Sequence, residues 1–256
     1  VSAIAVGPAA LAKGNTSLAI GRQSIAEKDF AQAIGNVSAA TGKGSLAMGH
    51  SATATGNRSI AIGSADIDNA GNTGDQQGTV YQTQEQTLST GKDSIAFGAA
   101  AKATKDYTLA IGAHSNAEGV NAIAIGSNNN ATGNQSISIG TGNTVVGNNS
   151  GAIGDPTTIT GSGTYTLGNN NGTVSGNEAG IFGNNNTLTG DSSRIIGNNN
   201  SVTGQNTFVM GNSVVTATAN NNVILGNDSS ESSATTTYGV PTQVNNGTVN
   251  GITYGD

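Results

Sequence analysis

The chain has no cysteine and no tryptophan, only three prolines, and few charges: 9% of its 256 residues are charged and 4% are aromatic. Without cysteine there are no disulfides, thiolate metal sites or cysteine nucleophiles, which suits a cytosolic protein and a disulfide-free surface protein equally. So few large side chains exclude a conventional globular core at this length. Nine Lys and Arg against fifteen Asp and Glu give a formal charge of −6. The cations are scattered along the sequence, so no nucleic-acid partner is expected. No apolar run approaches ~18 residues and no basic, apolar leader opens the sequence, so any anchor or targeting signal is expected outside it.

What the chain has in excess is glycine, 39 residues, and it recurs with a period. A Gly closes a motif of the type Ser-Leu-Ala-Ile-Gly at positions 7, 21, 35, 49, 63, 98, 112, 126, 140, 154, 168, 183, 197, 211 and 226. The steps are 14 residues, lengthened to 15 before Gly183 and Gly226 and to 35 before Gly98. A second Gly often stands seven residues after the first, as at Gly14, Gly42, Gly56, Gly119 and Gly133. Each repeat is therefore two short strands and two turns. A 14-residue unit cannot hold a helix and a strand, and nothing runs at a 3.6-residue period. The expected fold is all-β, a narrow parallel solenoid of 14-residue coils about 70 Å long at ~4.8 Å per coil. The 35-residue step predicts one insertion of roughly 21 residues between Ala65 and Leu88.

Two columns of large apolar residues stand one and three places before the anchor Gly: Ile4 and Val6, Leu18 and Ile20, Leu46 and Met48, Ile60 and Ile62, Ile95 and Phe97, Leu109 and Ile111, Ile123 and Ile125, Ile137 and Ile139. Between them sits a small residue such as Ala19, Ala47 or Ala124. Alternate strand residues point to opposite faces, so this strand is apolar on both. The other half-repeat offers one lone Ala among polar neighbours, as at Ala26, Ala54 and Ala117. Towards the C-terminus the central Ala becomes Thr166, Ile181, Ile195, Val209 and Ile224, while the lone Ala becomes Val145, Ile159, Val174, Leu188 and Val202. Columns that enlarge together are expected to meet across the coil interior. That leaves the flanking Ile, Leu and Val columns for an interface between chains. Gln32 and Arg194 interrupt these columns; three converging Arg194 side chains would form an axial anion site, and the alternative is an opened interface with Arg194 in solvent.

Ser59-Ile60-Ala61-Ile62-Gly63, Ser94-Ile95-Ala96-Phe97-Gly98 and Ala122-Ile123-Ala124-Ile125-Gly126 resemble the repeats of the head domains of trimeric autotransporter adhesins, the YadA-like family. The resemblance runs over roughly residues 1–226. It implies a left-handed parallel β-roll that trimerises laterally, anchored at the bacterial outer membrane through a stalk and exposed at the cell surface. It also implies a head over 1–221, a neck motif over 222–233 beginning Asn222-Val223-Ile224-Leu225-Gly226, and the start of a connector over 234–256. Family members bind collagen, fibronectin, laminin or cell-adhesion receptors of a host, or one another. From about Gly140 onward the Ala columns are replaced and Asn fills the turns, which bears on the axial packing of the distal coils.

Asn128 to Asn130, Asn169 to Asn171, Asn184 to Asn186 and Asn198 to Asn200 follow anchor glycines. Asn tolerates left-handed backbone, and stacked amides can bond along the rod, so these runs are expected to be structural. In the insertion, Asp66, Asp68, Asp75, Gln77, Val80, Tyr81 and Glu85 are the candidate receptor contacts, with Val80 to Gln84 as one arm of a hairpin. No metal site is expected there, because the Gly- and Asp-rich nonapeptide of calcium-binding β-rolls is absent. His50 and His114 both follow anchor glycines and are expected in solvent, too far apart to join one site. No carboxylate pair, nucleophile elbow or phosphate loop is present, so no enzyme and no cofactor is expected. A left-handed acyltransferase helix needs a longer coil. An ice-binding solenoid, the remote alternative, needs a regular Thr-x-Thr array, and Thr158, Thr187 and Thr203 are not expected to hold one column.

Overall fold

The computed structural model describes residues 2–66, 85–214 and 217–229, and a short antiparallel strand pair at Gly247–Val249 and Ile252–Tyr254. The chain is an all-β parallel solenoid of about 14 turns. The anchor strands form a 15-stranded sheet from Ile4–Val6 to Val223–Leu225, and the shorter half-repeat strands form a second sheet of 13. Pairing is in register coil by coil: Leu18 meets Gln32, Ala19 meets Ala33, Ile20 meets Ile34. Register passes through the 35-residue step, where Leu88 pairs with Thr53 and Ile95 with Ile60.

The turns show why the unit is seven residues long. Two places after the glycine positions, Ala65 and Pro156 excepted, the backbone adopts a left-handed conformation, and among the described residues 24 of these are not glycine, Phe30, Val37, Arg58 and His114 among them. Each costs on the order of 1 kcal/mol. The cost is offset because the N–H of that residue donates to the coil before it, as Val37 does to the Arg22 carbonyl (2.9 Å) and Ser51 to that of Asn36 (2.9 Å). Glycine itself serves close approach: a Cβ on Gly56 would overlap the carbonyl oxygen of Gly91.

The central and lone columns do meet inside. Ala19, Ala26, Ala33, Ala40, Ala47 and Ala54 are fully buried in one cluster, and the enlarged residues Val145, Ile159, Val174, Leu188, Ile195 and Val202 fill the distal one. Three residues after many of the glycines a polar side chain closes the coil end: Ser17 donates to the Gly14 carbonyl and Ser59 to that of Gly56, both at 2.7 Å. At others, such as Ala52 and Ala101, Ala stands instead. In the distal half Asn takes this place. Asn186 Nδ2 donates to the carbonyl of Gly197 and to Asn171 Oδ1, and Asn200 N–H donates to Asn186 Oδ1. The expected asparagine ladder therefore exists, and one of its rails is buried: Asn129, Asn143, Asn171, Asn186 and Asn200 are almost inaccessible to solvent.

That rail is broken once, at Thr157, where Asn143 Oδ1 and Thr157 Oγ1 are both buried without partners. Thr157→Asn is expected to close the gap and stabilise the chain by about 1–2 kcal/mol, one satisfied acceptor plus one net hydrogen bond. A chemical-denaturation midpoint that does not rise would refute this account of the seam.

Candidate functional site

The anchor sheet turns its two large columns outward. None of the sixteen residues assigned to an interface is fully buried by its own chain; Ile4, Val6 and Phe97 are more than half exposed, while Leu46, Ile60, Ile123 and Ile139 are half-buried by their neighbours along the rod. The column next to the anchor stays large and apolar beyond the predicted residues, through Ile153, Leu167, Phe182, Ile196, Met210 and Leu225, all exposed. Ile153, Leu167, Phe182 and Ile196 line an open groove of about 570 Å³. The period alone could have located these six, since each stands one place before an anchor glycine.

The outer column changes character distally. It reads Ile137, Gly151, Tyr165, Gly180, Arg194 and Phe208 in pairing order. A Cβ on Gly151 would press on the Tyr165 ring and one on Gly180 on Arg194 Cδ, so each glycine leaves room for the large side chain of the next coil. Arg194 is exposed, and its Nη1 donates to the carbonyls of Glu178 and Ser193. Gln32 is likewise exposed in its strand.

The insertion leaves the solenoid after Ala65 and rejoins it at Thr87. Ala65 N–H still donates to the His50 carbonyl, and Thr87 Oγ1 donates to the carbonyls of Ser64 (3.1 Å) and Gly98 (2.6 Å). Of the candidate receptor contacts, Asp66 and Glu85 meet at its base, where Asp66 N–H donates to the Glu85 carbonyl at 2.9 Å. Asp68, Asp75, Gln77, Val80 and Tyr81, with the hairpin over Val80 to Gln84, lie outside the described residues. The expectation that His114 faces solvent needs correction: its Nε2 lies 2.6 Å from Asp66 Oδ2, and the two side chains are 33% and 11% exposed. Sequence spacing hid this contact because the insertion, not the repeat, supplies the carboxylate.

Thr158, Thr187 and Thr203 do not hold one column, as expected, because Thr203 stands two residues on from the position of the other two. Thr144, Thr158 and Thr173 do pair in one outward column of the second sheet, and Thr187 with Ser201 continues it. Thr160, Ser175, Thr189 and Thr203 form the parallel column two residues on, so four rungs from 158 to 203 each carry two hydroxyls. The 15-residue coil hides this alignment from a strict 14-residue count.

Among the described residues no three His, Asp or Glu gather to hold a metal ion. One charged pair is clearly perturbed. The hydrogen bonds from Arg58, at 2.6 and 2.7 Å, hold the Asp93 carboxyl below its usual range and raise the guanidinium in turn. A depressed carboxyl contributes above its ordinary range and stops contributing as pH falls through the lowered value. On this exposed edge that contribution is small.

The profile of the YadA head domain repeat matches residues 1–24, 12–38, 40–65, 89–115 and 117–143, leaving out the insertion between 65 and 89. The chain carries a YadA-like head. No curated protein matches it. Heads of this family are parts of trimeric autotransporter adhesins of the bacterial surface, and family and fold are non-enzymatic in kind. In this YadA-like head the same coil geometry continues past the last matched repeat, through the Asn-rich coils to Leu225.

Replacing His114 by Ala is expected to speed amide exchange at Asp66 at least several-fold while leaving the solenoid amides unchanged. Unaltered protection at Asp66 would mean that Ser64 and Thr87 hold the loop base alone.

Proposed function

We propose that the chain is the head of an outer-membrane-anchored adhesin that assembles as a homotrimer through the anchor sheet and presents three copies of each contact to a host surface. The observation that carries this reading is the uncovered double column of Ile, Leu, Val and Phe along the anchor sheet. Covering each such side chain contributes about 2 kcal/mol, and a rod with this ribbon facing water would associate. Three copies give avidity, so weak individual contacts suffice. The partner proposed is a matrix protein such as collagen, fibronectin or laminin, or a cell-adhesion receptor, with the 65–88 insertion as first contact; self-association between cells, or a spacer role, is the alternative. Residues 222–233 are proposed as the neck and 234–256 as the start of a connector.

Sedimentation is expected to return three times the chain mass, and the pair Ile62→Asp and Phe97→Asp, set against the ribbon, to return single chains and abolish adhesion to matrix-coated surfaces. A wild-type monomer would overturn the reading. Deleting 67–84 tests the contact separately: a trimer that still adheres removes the insertion from the site.

A second reading is favoured by the hydroxyl rungs. Thr158 with Thr160, Thr173 with Ser175, Thr187 with Thr189 and Ser201 with Thr203 repeat at about 4.8 Å along the rod and about 6.7 Å across it. Their hydroxyls make no hydrogen bond to protein among the described residues. Such a lattice can order water as an ice face does. Thermal hysteresis lost on Thr173→Lys and Thr187→Lys would support it, and its absence in the wild type would exclude it.

A further inference from the structure

The cations that look dispersed in the sequence are gathered by the coil. Lys13, Lys28, Lys43, Arg58, Lys92 and Lys105 all fall in the turn that follows the second-sheet strand, one in each of six successive coils, and all are exposed. The turns stack directly: Phe30 N–H donates to the Asn15 carbonyl, Arg58 N–H to that of Lys43 and Tyr107 N–H to that of Lys92, each at 2.8–2.9 Å. A positive group thus recurs about every 4.8 Å along one edge.

Three carboxylates share that edge and are bonded within it. Asp29 Oδ1 accepts the Asn15 N–H at 2.9 Å, Asp106 Oδ1 accepts the Lys92 N–H at 2.8 Å, and Asp93 is forked with Arg58. Glu27 is half-buried, and Glu118 lies one coil beyond the track. By contrast, Lys13, Lys28, Lys43 and Lys105 have no ion pair among the described residues.

Two aromatic rings stand on the same edge. Phe30 is 56% exposed and Tyr107 51%, each at a left-handed backbone position that disfavours a bulky side chain. Lys92 Nζ covers the Tyr107 ring at 5.8 Å from its centre, whereas among the described residues no cation lies over the ring of Phe30. In the column above Phe30 the next coil has Gly44, at φ +66°, and the one after has Arg58. The missing side chain opens a notch of about 300 Å³ walled by Phe30, Lys43, Asn57 and Arg58. Asn57 Oδ1 accepts the Lys43 N–H at 3.1 Å, which leaves the amide donors of Asn57 for a ligand.

We propose that this edge is a binding track for an anionic polysaccharide, an extended chain bearing sulfate or carboxylate groups. One sugar sits against the Phe30 ring in the notch, its acid group facing Lys43 and Arg58, and the remaining cations follow the chain along successive coils. The track is a single residue wide, which suits one flexible strand better than the broad face of a nucleic-acid duplex, and the net charge of −6 works against dense polyanions away from it. The proposal rests on the reading that the face of the anchor sheet meets the partner chains, because the track lies in the turns at the side of that sheet and not on its face. It names the class of surface molecule the adhesin meets.

The test is binding of the full chain to immobilised heparin at ionic strengths around physiological, beside its desulfated form and a single-stranded oligonucleotide of matched charge. Retention on the sulfated chain above both controls is expected. The triple variant Lys28→Gln, Lys43→Gln, Lys105→Gln should bind about tenfold or more weakly and flatten the log–log salt dependence by about one unit per lysine that touches the chain. Phe30→Asn, a residue at ease in left-handed backbone, should weaken binding about threefold or more with the salt slope unchanged. A wild-type chain that is not retained, a triple variant that binds as well as wild type, or an oligonucleotide bound equally well would overturn the track. Sedimentation of the same samples separates this from the assembly: trimers that ignore heparin refute the track alone, whereas single chains refute the adhesin reading.

Discussion

The spacing between successive coils, fixed by backbone hydrogen bonds between parallel strands, governs everything else in this molecule. At that separation a glycine position in one coil lies against the carbonyl of the next, and a Cβ on Gly183 or Gly190 would overlap the oxygen above it. The same separation allows the left-handed residue of each turn to donate to the turn before, so a strained backbone is held by a bond repeated along the rod. The coil has no freedom to widen at its ends. Variation is confined to the middle, where the two interior columns change from Ala to Val, Ile and Leu towards the C-terminus.

The polar closure of the coil ends follows the same rule. A Ser hydroxyl bonds a carbonyl, three residues back as in Ser59 or in the next coil as in Ser150 and Ser193, whereas the longer Asn side chain bonds the next coil and also its neighbouring Asn. The distal half is therefore tied along its axis by side chains as well as by backbone. A short interruption occurs where Pro156 lacks the N–H that other residues in its position donate and Thr157 lacks an amide. The interior of this narrow rod stays dry on one side of each strand and offers the large residues of the anchor sheet only to the outside.

Most of the architecture was legible in the residues. Glycine spacing gave the coil, joint enlargement of two columns identified the interior, and the 35-residue step located the insertion, whose base lies at Asp66 and Glu85 within the expected bounds. Contacts that depend on chain outside the repeat were not legible: Asp66, which meets His114, belongs to the base of the insertion and has no counterpart in the repeat. The two hydroxyl columns were not legible either, because the pairing of Thr158 with Thr173 passes through a 15-residue coil. The dispersal of Lys and Arg misled in the same way. From Lys13 to Arg58 their spacing of 15 residues drifts forward by one place per coil, from Arg58 to Lys105 it drifts back, and a turn is wide enough to keep all of them on one edge.

By itself the sequence determined the period, the two-layered coil, the apolar ribbon and the family resemblance, because each is written as a repeat and repetition survives without coordinates. Only the tertiary structure decided which exposed groups become neighbours: the His114–Asp66 contact, the hydroxyl rungs and the line of cations beside Phe30. Stacking converts a step of 14 or 15 residues along the chain into less than 5 Å in space, and that conversion sets surface chemistry in ways that linear distance does not display.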